Sequence, residues 1–218
     1  MAINVYFVRH GQTFLNKYHR MQGWSDTPLT EKGKQDAARA GKALASVNFD
    51  YAFASDLKRT MDTARILLAN HPTTIKEPTP APAFREEFFG YFEGLNSIET
   101  AIFVSGNDEI NSFEEMIEAY GPDGTRERIA AADTTHDAED NQTFWNRVLP
   151  GLDMLRELPD GSNVLVVSHG MTIRSIGSCF GTSAEHTAQP ANGSITKLSL
   201  TKDTTTINFY SQLSLPQA

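Results

Sequence analysis

The chain reads as a three-layer α/β protein with a mostly parallel central sheet. Three observations carry that expectation. Residues 3–8 (Ile-Asn-Val-Tyr-Phe-Val) and 164–167 (Val-Leu-Val-Val) are short β-branched and aromatic runs of the kind that fill buried strands. Each run ends in a polar turn, Arg9-His10-Gly11 in one case and Ser168-His169-Gly170 in the other. Between them, strand-like and helix-like stretches alternate, a pattern that builds βαβ units with helices on both faces of a sheet.

Taken in order, Thr30 is placed to cap a helix running to about Ser46, with Ala37, Ala38, Gly41, Leu44 and Ala45 on one face. Residues 51–54 form a short strand. Ser55-Asp56 then caps a helix over residues 57–69, which puts Arg59 in its first turn. Residues 95–140 break into short helical stretches, such as 112–120, divided by Gly, Pro and Asp; they are expected to insert over one end of the sheet within a single domain spanning residues 1–218. A helix over 141–158 turns Phe144, Val148, Leu152 and Leu155 inward, and Pro150 is expected to kink it. Residues 193–200 and 205–210 close the chain as strands, as in a hairpin at the sheet edge.

Composition removes several function classes. Nineteen Lys and Arg against 27 Asp and Glu leave a net charge of −8, which repels nucleic acid and anionic membranes at long range. No apolar run approaches the length of about 20 residues that spans a bilayer, and residues 1–8 lack the basic start of a signal peptide, so a cytoplasmic location is expected. The single cysteine, Cys179, is expected as a buried small hydrophobe in a reducing compartment. His19, His71, His136 and His186 show no metal-ligand spacing and are expected at the surface, and neither metal nor cofactor is implied. There is no Gly-x-Ser-x-Gly elbow and no Gly-x-x-x-x-Gly-Lys loop, which argues against a serine hydrolase and a P-loop enzyme.

The residues left over are a constellation. An open α/β sheet presents its strand-following loops at one edge, where ligands bind. If the two His-Gly strands are neighbours, His10 and His169 converge there, Arg59 joins them from the start of the next helix, and a helix N-terminus faces the same volume. Such a cluster suits a phosphate dianion. Gly11 and Gly170 let the backbone approach a ligand closely.

Four motifs carry a resemblance. Val8-Arg9-His10-Gly11-Gln12-Thr13 with Asn16, Ser55-Asp56-Leu57-Lys58-Arg59-Thr60 with Thr63-Ala64, Phe84-Arg85-Glu86 with Gly90 and Glu93-Gly94, and Ser168-His169-Gly170 occur in that order. Together they resemble the histidine phosphatase superfamily, the group that also contains the cofactor-dependent phosphoglycerate mutases. The resemblance implies His10 as nucleophile, its other ring nitrogen donating to a backbone carbonyl. It implies Arg9, Arg59 and His169 as neutralisers of the phosphoryl oxygens, and Glu86 as proton donor and acceptor, with Glu93 as second choice. Asn16, Gln22 and Gly23 match phosphate-contacting positions of the family.

Hydrolysis and mutase-type transfer share such a centre. In the mutase branch, basic residues after the acid segment help to hold a carboxylate and a second phosphate. Here residues 95–124 contain no Lys or Arg and carry Glu99, Asp108, Glu109, Glu114, Glu115, Glu118 and Asp123. The expected substrate is therefore a small phosphomonoester with a neutral or weakly charged organic part, beside lid aromatics such as Phe103, Phe113 and Tyr120. Mutase-type transfer and a silent phosphate-binding regulator are the alternatives; the sequence leaves the oligomeric state open.

Overall fold

The computed structural model describes residues 2–183 and 188–216. Six strands, β1 (Ile3–Arg9), β2 (Tyr51–Ala54), β3 (Thr79–Pro80), β4 (Asn163–Ser168), β5 (Ile195–Leu200) and β6 (Thr205–Gln212), form one sheet in the order β3-β2-β4-β1-β5-β6. The first four in that order run parallel, and β5 and β6 return antiparallel as the expected edge hairpin. Two-residue alternation explains why β1 is apolar from Val5 to Val8. Val5 and Phe7 enter one core with Val164 and Val166, while Tyr6 and Val8 enter the other with Leu165 and Val167.

Helices α2 (Glu31–Ala43) and α3 (Lys58–Ala69) cover the second face, and α6 (Asn141–Arg156) and α7 (Gly170–Phe180) the first; α1 (Phe14–Lys17) is a single turn. Thr30 caps α2 as its sequence suggests, its hydroxyl accepting from Gly33 N at 3.0 Å. The helix stops earlier than expected: Leu44 is its C-cap, and Ala45 is exposed while Asp36 and Ala40 are buried.

The insertion supplies α4 (Ser97–Ser105) and α5 (Phe113–Ala132) and has its own apolar centre. Phe89, Phe92, Ala101, Met116 and Ile129 pack together and reach the main body through Met171 of α7. The short helix expected at 112–120 continues to Ala132 after a break at Gly121, whose φ of 70° suits glycine, with Pro122 restarting the helix. Helix α6 runs through Pro150 to Arg156 as one element.

Three expectations need correction. Ser55 and Asp56 do not cap α3; Leu57 holds the cap position without a side-chain bond, because Asp56 pairs with Arg85 and Ser55 points into the interior. His71 is buried, not superficial: Nε2 donates to Leu44 O at 2.9 Å, Nδ1 accepts from Thr73 N at 3.0 Å, and the ring lies 4.9 Å from that of Phe49. A satisfied imidazole thus ties the ends of α2 and α3 together. Cys179 is exposed, because α7 is buried on all sides from Gly170 to Gly177 and only its last turn, with Ser178 and Cys179, reaches the surface. His19 and His136 are exposed, and His186 lies outside the described residues.

The turn after β1 is held against α2 by glycines. A Cβ on Gly33 would sit 2.1 Å from Gln12 O, and one on Gly11 would sit 2.1 Å from Gly33 O. No rotamer relieves a clash with backbone. Gly33→Ala is therefore expected to destabilise the chain by about 1–3 kcal/mol in urea unfolding; an unchanged midpoint would show that this approach relaxes freely.

Candidate active site

The register Arg9↔Ser168 sets the two His-Gly turns side by side at the C-terminal edge of the parallel strands. His10 follows β1, His169 is the N-cap of α7, and their rings stand 5.2 Å apart. Above them opens a cavity of about 270 Å³ whose lining includes Arg9, His10, Asn16, Gln22, Glu86 and Gly170. Arg59 and His169 lie directly beneath, fully buried.

Hydrogen bonding settles both imidazole tautomers. His10 Nδ1 is 2.8 Å from Gly11 O, a group that can only accept, so Nδ1 carries the proton and Nε2 keeps its lone pair. That lone pair faces Arg59 Nε at 3.3 Å. For His169 the logic reverses. Arg59 Nη2 can only donate, at 2.9 Å, so Nδ1 accepts and Nε2–H points to Ser55 Oγ at 2.7 Å. Ser55 passes the chain to Thr60 Oγ1 at 2.8 Å, which ends on Leu57 O at 2.7 Å. Every donor in that relay is used, which accounts for Ser55 facing inward.

Arg59 also gathers the loop after α1. Its guanidinium donates to Gly23 O at 2.6 Å, to Ser25 O at 2.9 Å and to Asp26 Oδ1 at 3.3 Å. Glu93 holds the same loop from the other side. Its carboxylate accepts from the backbone N–H groups of Gly23, Trp24, Ser25 and Phe89 at 3.0–3.2 Å, and it takes no place in the cavity wall. It is a loop clamp. Gly23 and Gly11 likewise lie outside the wall, Gly23 giving its carbonyl to Arg59 and Gly11 packing on Gly33. Gln22 accepts from Thr13 Oγ1 at 2.5 Å, and Asn16 completes the capping box of α1.

Glu86 and Glu87 are both buried and point apart. Glu86 sits on the N-terminus of α7, Oε2 accepting from Met171 N at 3.0 Å and Oε1 from Thr172 N at 2.9 Å and Thr172 Oγ1 at 3.1 Å. Glu87 turns away to a buried pair with Arg126 at 3.2 Å. Burial pushes the Glu87 carboxyl up to about 8. Arg9 gives Nη1 to Pro190 O at 2.5 Å, while its Nε is buried without a protein partner. Arg9 thus lines the cavity with one guanidinium N–H, beside Gly170, that no protein acceptor satisfies.

Sequence reasoning missed Arg20 and Arg174, which also line the cavity. Arg174 lies four residues after Gly170 on α7, so helical spacing was a signal that could have found it. The seven insertion carboxylates do not line the cavity, and Glu114 instead pairs with Arg174. Of the lid aromatics, Phe113 lines the wall, Tyr120 does not, and Phe103 is exposed. Among the described residues no group of three or more His, Cys, Asp or Glu is placed to hold a metal ion.

Burial, and then the charges of Arg59 and Arg9, hold His10 well below the usual imidazole range; burial and Arg59 do the same for His169. The unfolded chain binds protons at both sites below about pH 6.5, and the folded chain does not. Stability present above that pH is therefore lost as pH falls toward the depressed folded values. Urea midpoints between pH 7.5 and 5.5 are expected to decline on acidification, with a shallower slope in His10→Asn. An unchanged slope in that variant would contradict a neutral, buried His10.

The family model of the Histidine phosphatase superfamily (branch 1) matches residues 5–212. A 2,3-bisphosphoglycerate-dependent phosphoglycerate mutase 2 of Gloeobacter violaceus is 35% identical over 176 residues, covering 81% of this chain and 74% of that protein. The crystal structure of a phosphoglycerate mutase from Bacillus anthracis superposes with a TM-score of 0.88 at 30% identity, covering 97% of this chain and 94% of that one. A mycobacterial glucosyl-3-phosphoglycerate phosphatase solved with VO3 shares the fold at 24% identity and a TM-score of 0.69, with 96% and 98% coverage. With its paired His-Gly turns on adjacent parallel strands, the chain belongs to branch 1 of the histidine phosphatase superfamily.

Proposed function

We propose that the chain is a metal-independent phosphatase that hydrolyses a small phosphomonoester through a phosphohistidine on His10. The observation that carries this is the fixed His10 tautomer, with the Nε2 lone pair unprotonated beside Arg59. An unprotonated imidazole nitrogen is the nucleophile such a transfer needs.

In the first step Nε2 attacks phosphorus and the ester P–O bond breaks. Glu86 gives its proton to the departing oxygen, so the alcohol leaves neutral. Arg9, through its unpartnered Nε, and Arg59, by turning its Nε from His10 to the phosphoryl group, balance charge on the equatorial oxygens. His169, with Nδ1 on the same guanidinium and Nε2–H on Ser55, holds Arg59 in place instead of neutralising the phosphoryl oxygens directly. Gly170, at the start of α7, brings the helix N-terminus to the anion. In the second step Glu86 takes a proton from water as its oxygen attacks phosphorus. The P–N bond breaks, and inorganic phosphate leaves with His10 restored.

Hydrolysis is favoured over mutase-type transfer by the chemistry of the cavity wall. Residues 95–124 bring no cation to it. The arginine that α7 contributes is already bound by a lid carboxylate, at Arg174–Glu114. Mutase-type transfer stands as the second reading because the Gloeobacter and Bacillus anthracis relatives carry that name.

Aryl phosphate turnover in excess chelator, alongside a phosphoglycerate mutase assay, tests the proposal. Expected are turnover indifferent to chelator, and a loss of at least about 10³-fold in His10→Ala. Mutase flux exceeding hydrolysis would establish the second reading, and an active His10→Ala would remove the nucleophile. Loss with chelator would refute metal independence, and no turnover would leave a phosphate-binding regulator. Glu86→Gln is expected to lower kcat by about 10²–10⁴-fold on alkyl phosphates and much less on aryl phosphates with acidic leaving groups. Equal losses on both would make Glu86 a helix cap only.

A further inference from the structure

Arg174 and Glu114 meet where the lid closes on the cavity. Arg174 projects from α7 into the wall shared with His10 and Arg9, and its side chain is 3% exposed. Glu114 stands in the first turn of α5, with its side chain 40% exposed. The contact is two-pronged: Nη1 to Oε2 at 2.8 Å and Nη2 to Oε1 at 2.5 Å. A bidentate carboxylate takes the face of the guanidinium that a ligand carboxylate would use.

The remaining cations are placed differently. Arg9 lies at the His10 end, with its Nε unpartnered. Arg20 is exposed and donates to Gly94 O at 2.8 Å, where solvent screens its charge. Charge that could draw a second acid group is thus neutralised from within the protein at the buried end of the wall. A substrate carboxylate reaching Arg174 must displace Glu114 or lie against it, and either route costs binding free energy.

We propose that Glu114 is a specificity-determining residue: by occupying Arg174 it selects phosphomonoesters whose organic part lacks a second acid group. This deepens the phosphatase reading and rests on the cavity above His10 being the phosphate site. Selection works against the wrong ligand rather than for the right one.

Glycerol 3-phosphate and 3-phosphoglycerate test it, being close in shape and differing by a carboxylate. Their Kd values are measured by calorimetry on the full chain and on Glu114→Gln, each also carrying His10→Ala so that neither ligand is consumed, and the readout does not need turnover. Glu114→Gln is expected to shift the ratio toward 3-phosphoglycerate by at least about tenfold, leaving glycerol 3-phosphate within about twofold. The double variant Glu114→Gln/Arg174→Gln is expected to lose the gain. An unchanged ratio, an equal change for both ligands, or a gain that survives in the double variant would overturn the proposal. Should Glu114→Gln not fold, Glu114→Asp, too short for the two-pronged contact, is expected to shift the ratio the same way. An absence of aryl phosphate turnover would sink hydrolysis but leave this ratio readable.

Discussion

The site depends on one buried cation. The Arg59 guanidinium is removed from solvent and reaches His10, His169, Gly23 O, Ser25 O and Asp26. A charge in that position is tolerated only because its N–H groups find acceptors. Satisfying them pulls the 23–26 loop, both histidine turns and the start of α3 to one point. Burial, and after it the same cation, keep the imidazoles neutral. Burial first, and then the proximity of a fixed positive charge, keep His10 presenting a lone pair rather than a second proton.

Around that centre the polar groups are arranged as a set of single-purpose bonds. Gly11 O fixes the His10 tautomer, and the Ser55–Thr60 relay fixes that of His169. Glu93 orders the loop that Arg59 reads from below. Glu86 is held by the first N–H groups of α7, so the helix that carries His169 at its cap also positions the acid. A displacement of α7 would move both together.

The sheet and the His-Gly turns were legible because they rest on local signals. Apolar strand runs, glycine after histidine and the Thr30 cap each announce themselves within a few residues. What was not legible depends on tertiary packing. His71 follows the end of a helix with no periodic cue, and is buried because Phe49 and the Leu44 carbonyl lie beside it. The phase of α7 did not place Cys179, which continues the three-residue spacing of Ile173 and Ile176 and is exposed only because burial of the helix ends at Gly177. Glu93 resembled a catalytic acid in sequence, and only the four converging N–H groups give its role away. The insertion's negative charge was legible as composition, but not its placement: none of the seven carboxylates lines the cavity, and Glu114 pairs with Arg174, which does.

The phosphoryl group itself gives the most direct test. Turnover of a phosphomonoester is quenched in base, where phosphohistidine survives, and the chain is digested and mapped by mass spectrometry. The account predicts a transient phosphoryl group on the peptide containing His10, absent from His10→Ala and decaying as inorganic phosphate appears. A phosphoryl group on another residue, or turnover with no phosphorylated peptide when the quench is faster than the second step, would contradict it.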